Sequence, residues 1–482
     1  MLRFPNWLIV LAIWAAIYLP ALGTLEIKGE EGRRILPAIT MLETGNYVVP
    51  YVGGEPYLRK PPLINWLVAG SFKLFGAQNE WTARLPSALS VLAVALAFLT
   101  VSAPSLGKNG AFFAALMWLT SVGMIEKGRL IEIEALYVSL TGLAIILWLS
   151  WWQQRRSPWL VWTVPWIFLG LGLLAKGPLH LLFFYMIVAA VLFQTGQSRQ
   201  VTHPAHALGV AIMLGIFAAW AVPYLKMTPD LYAAKVWSRQ LTGRLGADDF
   251  KLSSWIWNLP RAVAYGLPWV LFLFFVRSTF GQSREGRIAR GLAWGIVIPF
   301  VAVNLLPSAL PRYTMPLLVT AIWLVAATLV APQLLGLRGQ PAAAWSAASR
   351  LRWVLGLSLL AAVVMCLYSF ALTPHLRTRE KVRNVAAHFN AALPVGAPVH
   401  AVGLDYQPFL FYLRGPILYS RTLAALPEEV RFVLVEERKR QHVLENPRWK
   451  GQEVREVTRM TDYRKKTVVL FAVERTAAAP GG

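Results

Sequence analysis

Long apolar runs recur through the first three quarters of this chain and then stop. About 20 apolar residues cover the hydrocarbon core of a bilayer, and that test places spans at 7–23, 86–104, 111–125, 132–151, 159–175, 178–195, 206–223, 262–280, 291–307, 313–331 and 353–372. An odd number of crossings puts the two ends of the chain on opposite sides. Short loops rich in Lys and Arg stay in the cytoplasm. Here Lys108, Arg155 and Arg156, Arg199, the group Arg277, Arg284, Arg287 and Arg290, and the group Arg338, Arg350 and Arg352 all fall in alternate loops, and Arg3 joins them. The N-terminus is therefore expected inside and the C-terminus outside.

The outer side then receives the loop 24–84, the loop 224–261 and the tail from 375 onward. The tail reads as a small α/β domain. Residues 398–403, 431–435 and 467–473 have strand character, 378–393 reads as an amphipathic helix, and 476–482 as a frayed end. The expected division is a membrane domain over 1–374 and an exported, periplasmic domain over 375–482.

Composition agrees with this pattern: 56% of the 482 residues are hydrophobic and only 15% charged, against about 25% in ordinary globular domains. The net charge is +23. Nucleic acid is excluded as a partner because the cations lie mostly between apolar runs, where anionic lipid headgroups meet them. The single cysteine, Cys366, lies inside an apolar run and rules out a disulfide framework or a CxxC metal site. Segment 7–23 lacks a small-residue cleavage pattern and is read as a retained span.

Candidate chemistry gathers in the outer loops. The run Glu26-Ile27-Lys28-Gly29-Glu30-Glu31-Gly32-Arg33-Arg34 places carboxylates at the membrane surface, either as a solvated collar or as a catalytic group. Further on, Arg59 and Lys60 precede Pro61 and Pro62, whose fixed φ presents both cations on a stiff turn suited to a phosphate headgroup or to simple lipid anchoring. Residues 63–75 follow, too short to span and read as a helix lying in the interface. The next outer loop carries Glu126, Lys127, Arg129, Glu132 and Glu134; as a helix it would turn Glu132 and Glu134 to different faces, so that one of them points inward. Lys176 and the pair Arg312 and Tyr313 add positive charge and an aromatic ring to the same side. In 224–261, Arg239, Arg244, Lys251 and Arg261 alternate with Trp237, Trp255 and Trp257, which fits an aromatic belt with snorkelling cations as well as it fits a site. The seven histidines show no HExxH-like spacing, so no metal ligands are assigned.

The acidic pair, Arg33, the run Gly45-Asn46-Tyr47-Val48-Val49-Pro50, then Lys60-Pro61-Pro62-Leu63 and Arg84-Leu85-Pro86-Ser87-Ala88-Leu89 form a combination that resembles the polyprenyl-phosphate-sugar-dependent glycosyltransferases of the GT-C superfamily. Within it the chain is most similar to the bacterial lipid A aminoarabinose transferases, in a group related to protein O-mannosyltransferases. The resemblance covers the first two hundred residues, returns at Pro311-Arg312-Tyr313-Thr314-Met315-Pro316 and is weak in the tail. It implies a mainly α fold, a polytopic bundle of about 11–13 spans with outer juxtamembrane helices and a small C-terminal α/β domain. Residue by residue, the family's acidic pair falls on Glu30 and Glu31, its second carboxylate on Glu134, and its donor-phosphate lysine on Lys60. Glu30 and Glu134 stand where relatives usually carry Asp, and Arg59 where they often carry an acid, which weakens any metal site there while leaving room for a divalent ion.

These residues together predict a multi-pass protein of the bacterial inner membrane, acting as a monomer. It would move a sugar from an undecaprenyl (polyprenyl) phosphate to a lipid A-like or other lipid or glycan acceptor at the outer face, with inversion. Glu30, Glu31 and Glu134 are the catalytic candidates. Lys60, Arg59, Arg244 and Arg312 are the phosphate-binding candidates, with Arg33, Arg129, Glu132, Lys176 and Tyr313 as further site residues. Protein O-glycosylation is the alternative acceptor chemistry. A secondary transporter is the alternative class, although it would place polar groups near the midplane in related halves, and no internal repeat is visible here.

Overall fold

A backbone in lipid has to satisfy its own hydrogen bonds, so the apolar runs of this chain become helices. The computed structural model describes residues 5–52, 54–228, 252–307, 309–332, 345–404 and 407–475. In chain order the principal helices are α1 (Asn6–Tyr18), α2 (Gly32–Thr44), α3 (Leu63–Phe75), α4 (Glu80–Val101), α5 (Ala103–Thr120), α6 (Val122–Gly128), α7 (Ile133–Gln153), α8 (Pro158–Ala175), α9 (Leu179–Gln194) and α10 (Pro204–Met227). They continue with α11 (Asn258–Ala264), α12 (Arg284–Asn304), α13 (Leu318–Val330), α14 (Ala347–Leu367) and α15 (Val382–Ala392).

Every apolar run of the sequence carries a helix. Seven helices among the described residues are long and apolar enough to cross a membrane: Glu80–Val101, Ile133–Gln153, Pro158–Ala175, Pro204–Met227, Arg284–Asn304, Pro311–Val330 and Ala347–Arg377. Asn258–Ala264 and Trp269–Arg277 form an eighth only as a pair bent by 93°. The three remaining runs are α1, α5 and α9. Helix α1 has 13 residues and stops ahead of Pro20, α5 opens on the polar stretch 105–109, and α9 has 16 residues between Pro178 and the left-handed Gly196. Proline and glycine thus shorten helices where hydropathy alone reads a full crossing.

By their contacts the residues fall into two units. One comprises Met1–Leu22, Leu58–Ile64 and Arg84–Phe370; the other comprises Gly23–Tyr57, Asn65–Ala83 and Ala371–Gly482.

The first unit is the helical bundle. Small residues let its helices approach closely, as expected where lipid removes the hydrophobic drive for packing. A β-carbon at Gly209 of α10 would run into the carbonyl of Trp162 on α8. Arginines close two helix ends. Arg350 donates from Nη1 to the carbonyls of Leu329 and Ala331, at 2.7 and 2.6 Å, beyond the last turn of α13. Arg129 donates to the carbonyls of Ile17 and Pro20 at the end of α1. A cation there meets both the orphan carbonyls and the negative end of the helix dipole. The thiol of Cys366 donates weakly to the carbonyl of Ala16 at 3.6 Å.

The second unit is built on a five-stranded sheet in the order β4-β3-β5-β7-β6, with β3 at Val399–Val402, β4 at Ile417–Ser420, β5 at Phe432–Glu436, β6 at Gln452–Thr461 and β7 at Thr467–Arg475. Strands β4, β3 and β5 run parallel, with His400 opposite Val433, while β7 lies antiparallel to both β5 and β6, with Leu434 opposite Leu470. Val402, Val433, Val435, Trp449, Val469 and Phe471 form its core. Helix α15 brings Phe389 to Phe409, ring centroids 5.4 Å apart. The strands expected at 398–403, 431–435 and 467–473 correspond to β3, β5 and β7, and the expected helix to α15. A short hairpin, β1 (Tyr51–Val52) with β2 (Glu55–Pro56), and helix α2 belong to the same unit.

Candidate active site

The acidic pair sits on a short 3-10 turn, Gly29–Glu31, that runs straight into α2. The turn starts at Gly29 because its φ of +55° suits glycine. Two carboxylates then stand at the positive end of a helix, where negative charge is favoured. Their surroundings differ. The side chain of Glu30 is 46% exposed and pairs with Arg33 at 2.9 Å and Arg34 at 3.8 Å. Glu31 is buried, with 3% of its surface exposed. Arg34 is also buried; its Nη1 lies 3.3 Å from the Tyr57 hydroxyl, and its carbonyl accepts the Asn65 amide at 2.8 Å.

In the bundle unit, Glu134 occupies the first turn of α7 and is the meeting point of two cations from other elements. Lys176, just past the end of α8, places Nζ 3.2 Å from Glu134 Oε1. Arg312, on the 3-10 turn Pro311–Leu317, places Nε 2.9 Å from the same oxygen, without the N–H alignment of a hydrogen bond. This second contact is thus an attraction of charges. Lys176 is further held between the rings of Tyr137 and Tyr313, 5.2 Å from each centroid. The Tyr137 hydroxyl receives the His180 backbone N–H at 2.6 Å and donates to the Gly177 carbonyl at 3.3 Å, so the turn carrying Lys176 is fixed on both sides. His180 completes the brace through Gly177 and Leu169, its ring nitrogens 3.0 and 2.9 Å from their carbonyls.

Glu132 takes a different partner. It stands just before the first turn of α7 in an extended conformation and pairs with Lys127 at 2.9 Å, and Lys127 also pairs with Glu126 at 2.7 Å. Burial works against the charge on Lys127, but Glu132 and Glu126 outweigh it and raise the amine's pKa. Burial raises the Glu132 carboxyl, and Lys127 offsets only part of the rise.

The sequence-derived candidates are therefore distributed. Glu30, Glu31 and Arg33 belong to one unit, and Glu134, Lys176, Arg312 and Tyr313 come together in the other. Lys60, half-buried, and Arg59, exposed, lie on the turn before α3 and are assigned to the bundle unit. Arg129 serves the end of α1 and Glu132 serves Lys127, so neither joins the Glu134 cluster. Arg244 lies outside the described residues. Among the described residues, no three His, Cys, Asp or Glu side chains gather so as to hold a metal ion. Tyr137 and His180 were missed in the sequence. The available signal was the spacing of three between Glu134 and Tyr137, which puts both on one helix face.

A helical bundle with charge at its helix ends, joined in sequence to an α/β domain, defines a polytopic membrane protein. More particularly, the chain superposes on the crystal structure of ArnT from Cupriavidus metallidurans bound to undecaprenyl phosphate with a TM-score of 0.70, at 17% identity over 99% of this chain and 98% of that one. Residues 59–222 match the family model described as dolichyl-phosphate-mannose-protein mannosyltransferase. The chain is 26% identical over 295 residues, 60% of its length and 53% of the relative's, to undecaprenyl phosphate-alpha-4-amino-4-deoxy-L-arabinose arabinosyl transferase 1 of Pseudomonas fluorescens. It is 28% identical over 300 residues, 60% and 50% of the two lengths, to arabinosyl transferase 2 of the same organism. The matches span about half the length of these curated relatives.

Proposed function

We propose that this protein is a glycosyltransferase that moves a sugar from a polyprenyl-phosphate donor, of the undecaprenyl type, to a lipid A-like or other lipid or glycan acceptor at the outer face of the bacterial inner membrane. The observation that carries this reading is the convergence of Lys176 and Arg312 on Glu134. When a sugar leaves a lipid phosphate, negative charge grows on the phosphate oxygens, and cations already fixed in place stabilise it without reorganising. Lys176, clamped by two rings and a carboxylate, is such a cation, and Arg312 adds a planar donor set that matches phosphate. Lys60 and Arg59 are assigned as further phosphate contacts. Glu134, buried between the two cations, holds them together, and we assign it to position them. Glu30 or Glu31 takes the proton of an acceptor hydroxyl. Attack opposite the phosphate then inverts the anomeric carbon without a covalent sugar-enzyme intermediate, and a phosphate acceptor, already ionised, would need less help from a base.

Charges at helix ends favour this reading over a transporter, whose ion-coupling groups belong near the midplane. The names of the relatives support an undecaprenyl phosphate aminoarabinose donor, while the family model's description supports a protein hydroxyl as the alternative acceptor. The test compares lipid A, membrane glycolipids and exported proteins by mass spectrometry in cells with and without the gene, and in cells carrying Glu30→Gln or Lys60→Gln. A sugar-sized mass should vanish from one acceptor class in the deletion and be strongly reduced in both variants. Undiminished transfer in both folded variants refutes the assigned site.

A further inference from the structure

The segment leading into Glu30 and Glu31 is tied to residues that arrive hundreds of positions later in the chain, all within the second unit. The Glu26 carboxylate, on a residue only 7% exposed, accepts the backbone N–H groups of Lys381, Val382 and Arg383 at 3.2, 2.7 and 3.1 Å, where α15 begins. Lysine has no acceptor, so Lys381 at the N-cap cannot supply this cap itself, and the helix takes it from Glu26, 355 positions away. Ile27 donates its backbone N–H to the Tyr412 hydroxyl at 2.6 Å, and Gly29 donates to the Tyr463 hydroxyl at 2.9 Å. The Tyr412 hydroxyl in turn donates to Glu80 at 2.9 Å. Glu80 pairs with Arg383, whose guanidinium also pairs with Glu380 at 3.0 Å and lies over the Tyr412 ring, 5.1 Å from its centroid. Glu26, Tyr412, Glu80 and Arg383 thus form one connected polar network that reaches the backbone N–H of Ile27 just ahead of the acidic pair, and Tyr463 adds a separate tie at Gly29.

We propose that Glu26 and Tyr412 are positioning residues that set the turn bearing Glu30 and Glu31, so that the α/β domain takes part in sugar transfer by aiming the base. This rests on the reading of that pair as the base. A hydroxyl hydrogen-bonded to Ile27 N–H fixes the chain three residues before Glu30 and touches no reacting atom. Its loss should lower the rate of the chemical step and leave donor binding, assigned to the other unit's cations, as it was.

The experiment uses the full chain in proteoliposomes with an undecaprenyl-phosphate sugar as donor, and the variants Glu26→Gln and Tyr412→Phe beside Glu30→Gln and Glu31→Gln. Both positioning variants are expected to lose about tenfold or more in kcat with donor KM changed by less than about twofold. Glu456→Gln, which breaks the Arg440 pair elsewhere in the α/β domain, should keep wild-type kcat. Wild-type kcat in Glu26→Gln and Tyr412→Phe, with Glu30→Gln or Glu31→Gln inactive, overturns the positioning role alone. Full activity in all four variants overturns the base assignment itself. Hydrogen exchange supplies a readout independent of activity. Amides 27–31 should exchange about tenfold faster in Tyr412→Phe with β5 and β7 unchanged, and unaltered exchange there also overturns the proposal.

Discussion

Replacing Glu134 by glutamine separates a counter-ion from a proton acceptor. The substitution keeps the volume but removes the charge on which Lys176 and Arg312 converge, at 3.2 and 2.9 Å. The Glu134 and Lys176 side chains are only 10% and 14% exposed, while Arg312 is 38% exposed and largely screened by solvent. Breaking a buried pair by removing one partner costs about 3–5 kcal/mol. With one of the two cations partly solvated, the low end, about 3 kcal/mol, is the figure to expect, a shift of about two orders of magnitude in the folding equilibrium. The two cations left behind repel each other and attract an anion. Undecaprenyl phosphate, which carries that anion, should therefore stabilise Glu134→Gln against heat more than it stabilises the wild type. The assay is thermal unfolding in detergent with and without added undecaprenyl phosphate, alongside the kinetics of sugar transfer. A variant of wild-type stability that gains nothing from the lipid, yet loses kcat by a factor of about a thousand, would identify Glu134 as the base and refute its role as a counter-ion.

Two further outcomes test the scaffold. Glu43, on α2 and lining one pocket with Phe411 and Tyr419, is an exposed residue whose carboxyl pKa is raised by partial desolvation; its contribution is complete at acid pH and is lost as pH rises through the folded value, so Glu43→Gln should raise thermal stability slightly at pH 7 and change nothing near pH 4, and equal effects at both pH values would contradict this. Arg350→Met should cost about 1–3 kcal/mol by stranding the carbonyls of Leu329 and Ala331, read as a lowered unfolding temperature in detergent, and an unchanged temperature would show that those carbonyls have other partners.

Among the described residues, hydropathy located the long helices of the bundle because each apolar run is long and the alternative, an unsatisfied backbone in lipid, is so costly. It was less informative about length, since Pro20, the extended Ser121 between α5 and α6, and Gly196 end helices without making their neighbourhoods polar. In the α/β domain the buried strands β3, β5 and β7 read clearly as apolar runs. Strand β6 did not, because at the sheet edge it alternates Val454 and Met460 with Glu453, Arg455 and Arg459, and β4 is only four residues long. The candidate site residues stand out in the sequence as charges at run ends, but their partners do not. Glu134 finds Lys176 after 42 positions and Arg312 after 178, and no periodicity links such residues. The same holds for Glu26 and α15, whose union only the folded chain reveals.

The unit holding Glu30 and Glu31 leaves the sequence at Ala83 and resumes at Ala371, 288 positions later. At about 5–20 residues per second of synthesis, the early loop waits roughly 20–90 s for the residues that bond Ile27 and Gly29 and that use Glu26 as a cap, 355 to 434 positions further on. Most of the membrane helices are made during that interval. The acidic turn is therefore assembled last, after the bundle has been threaded, and a half-made chain carries its carboxylates without the groups that aim them.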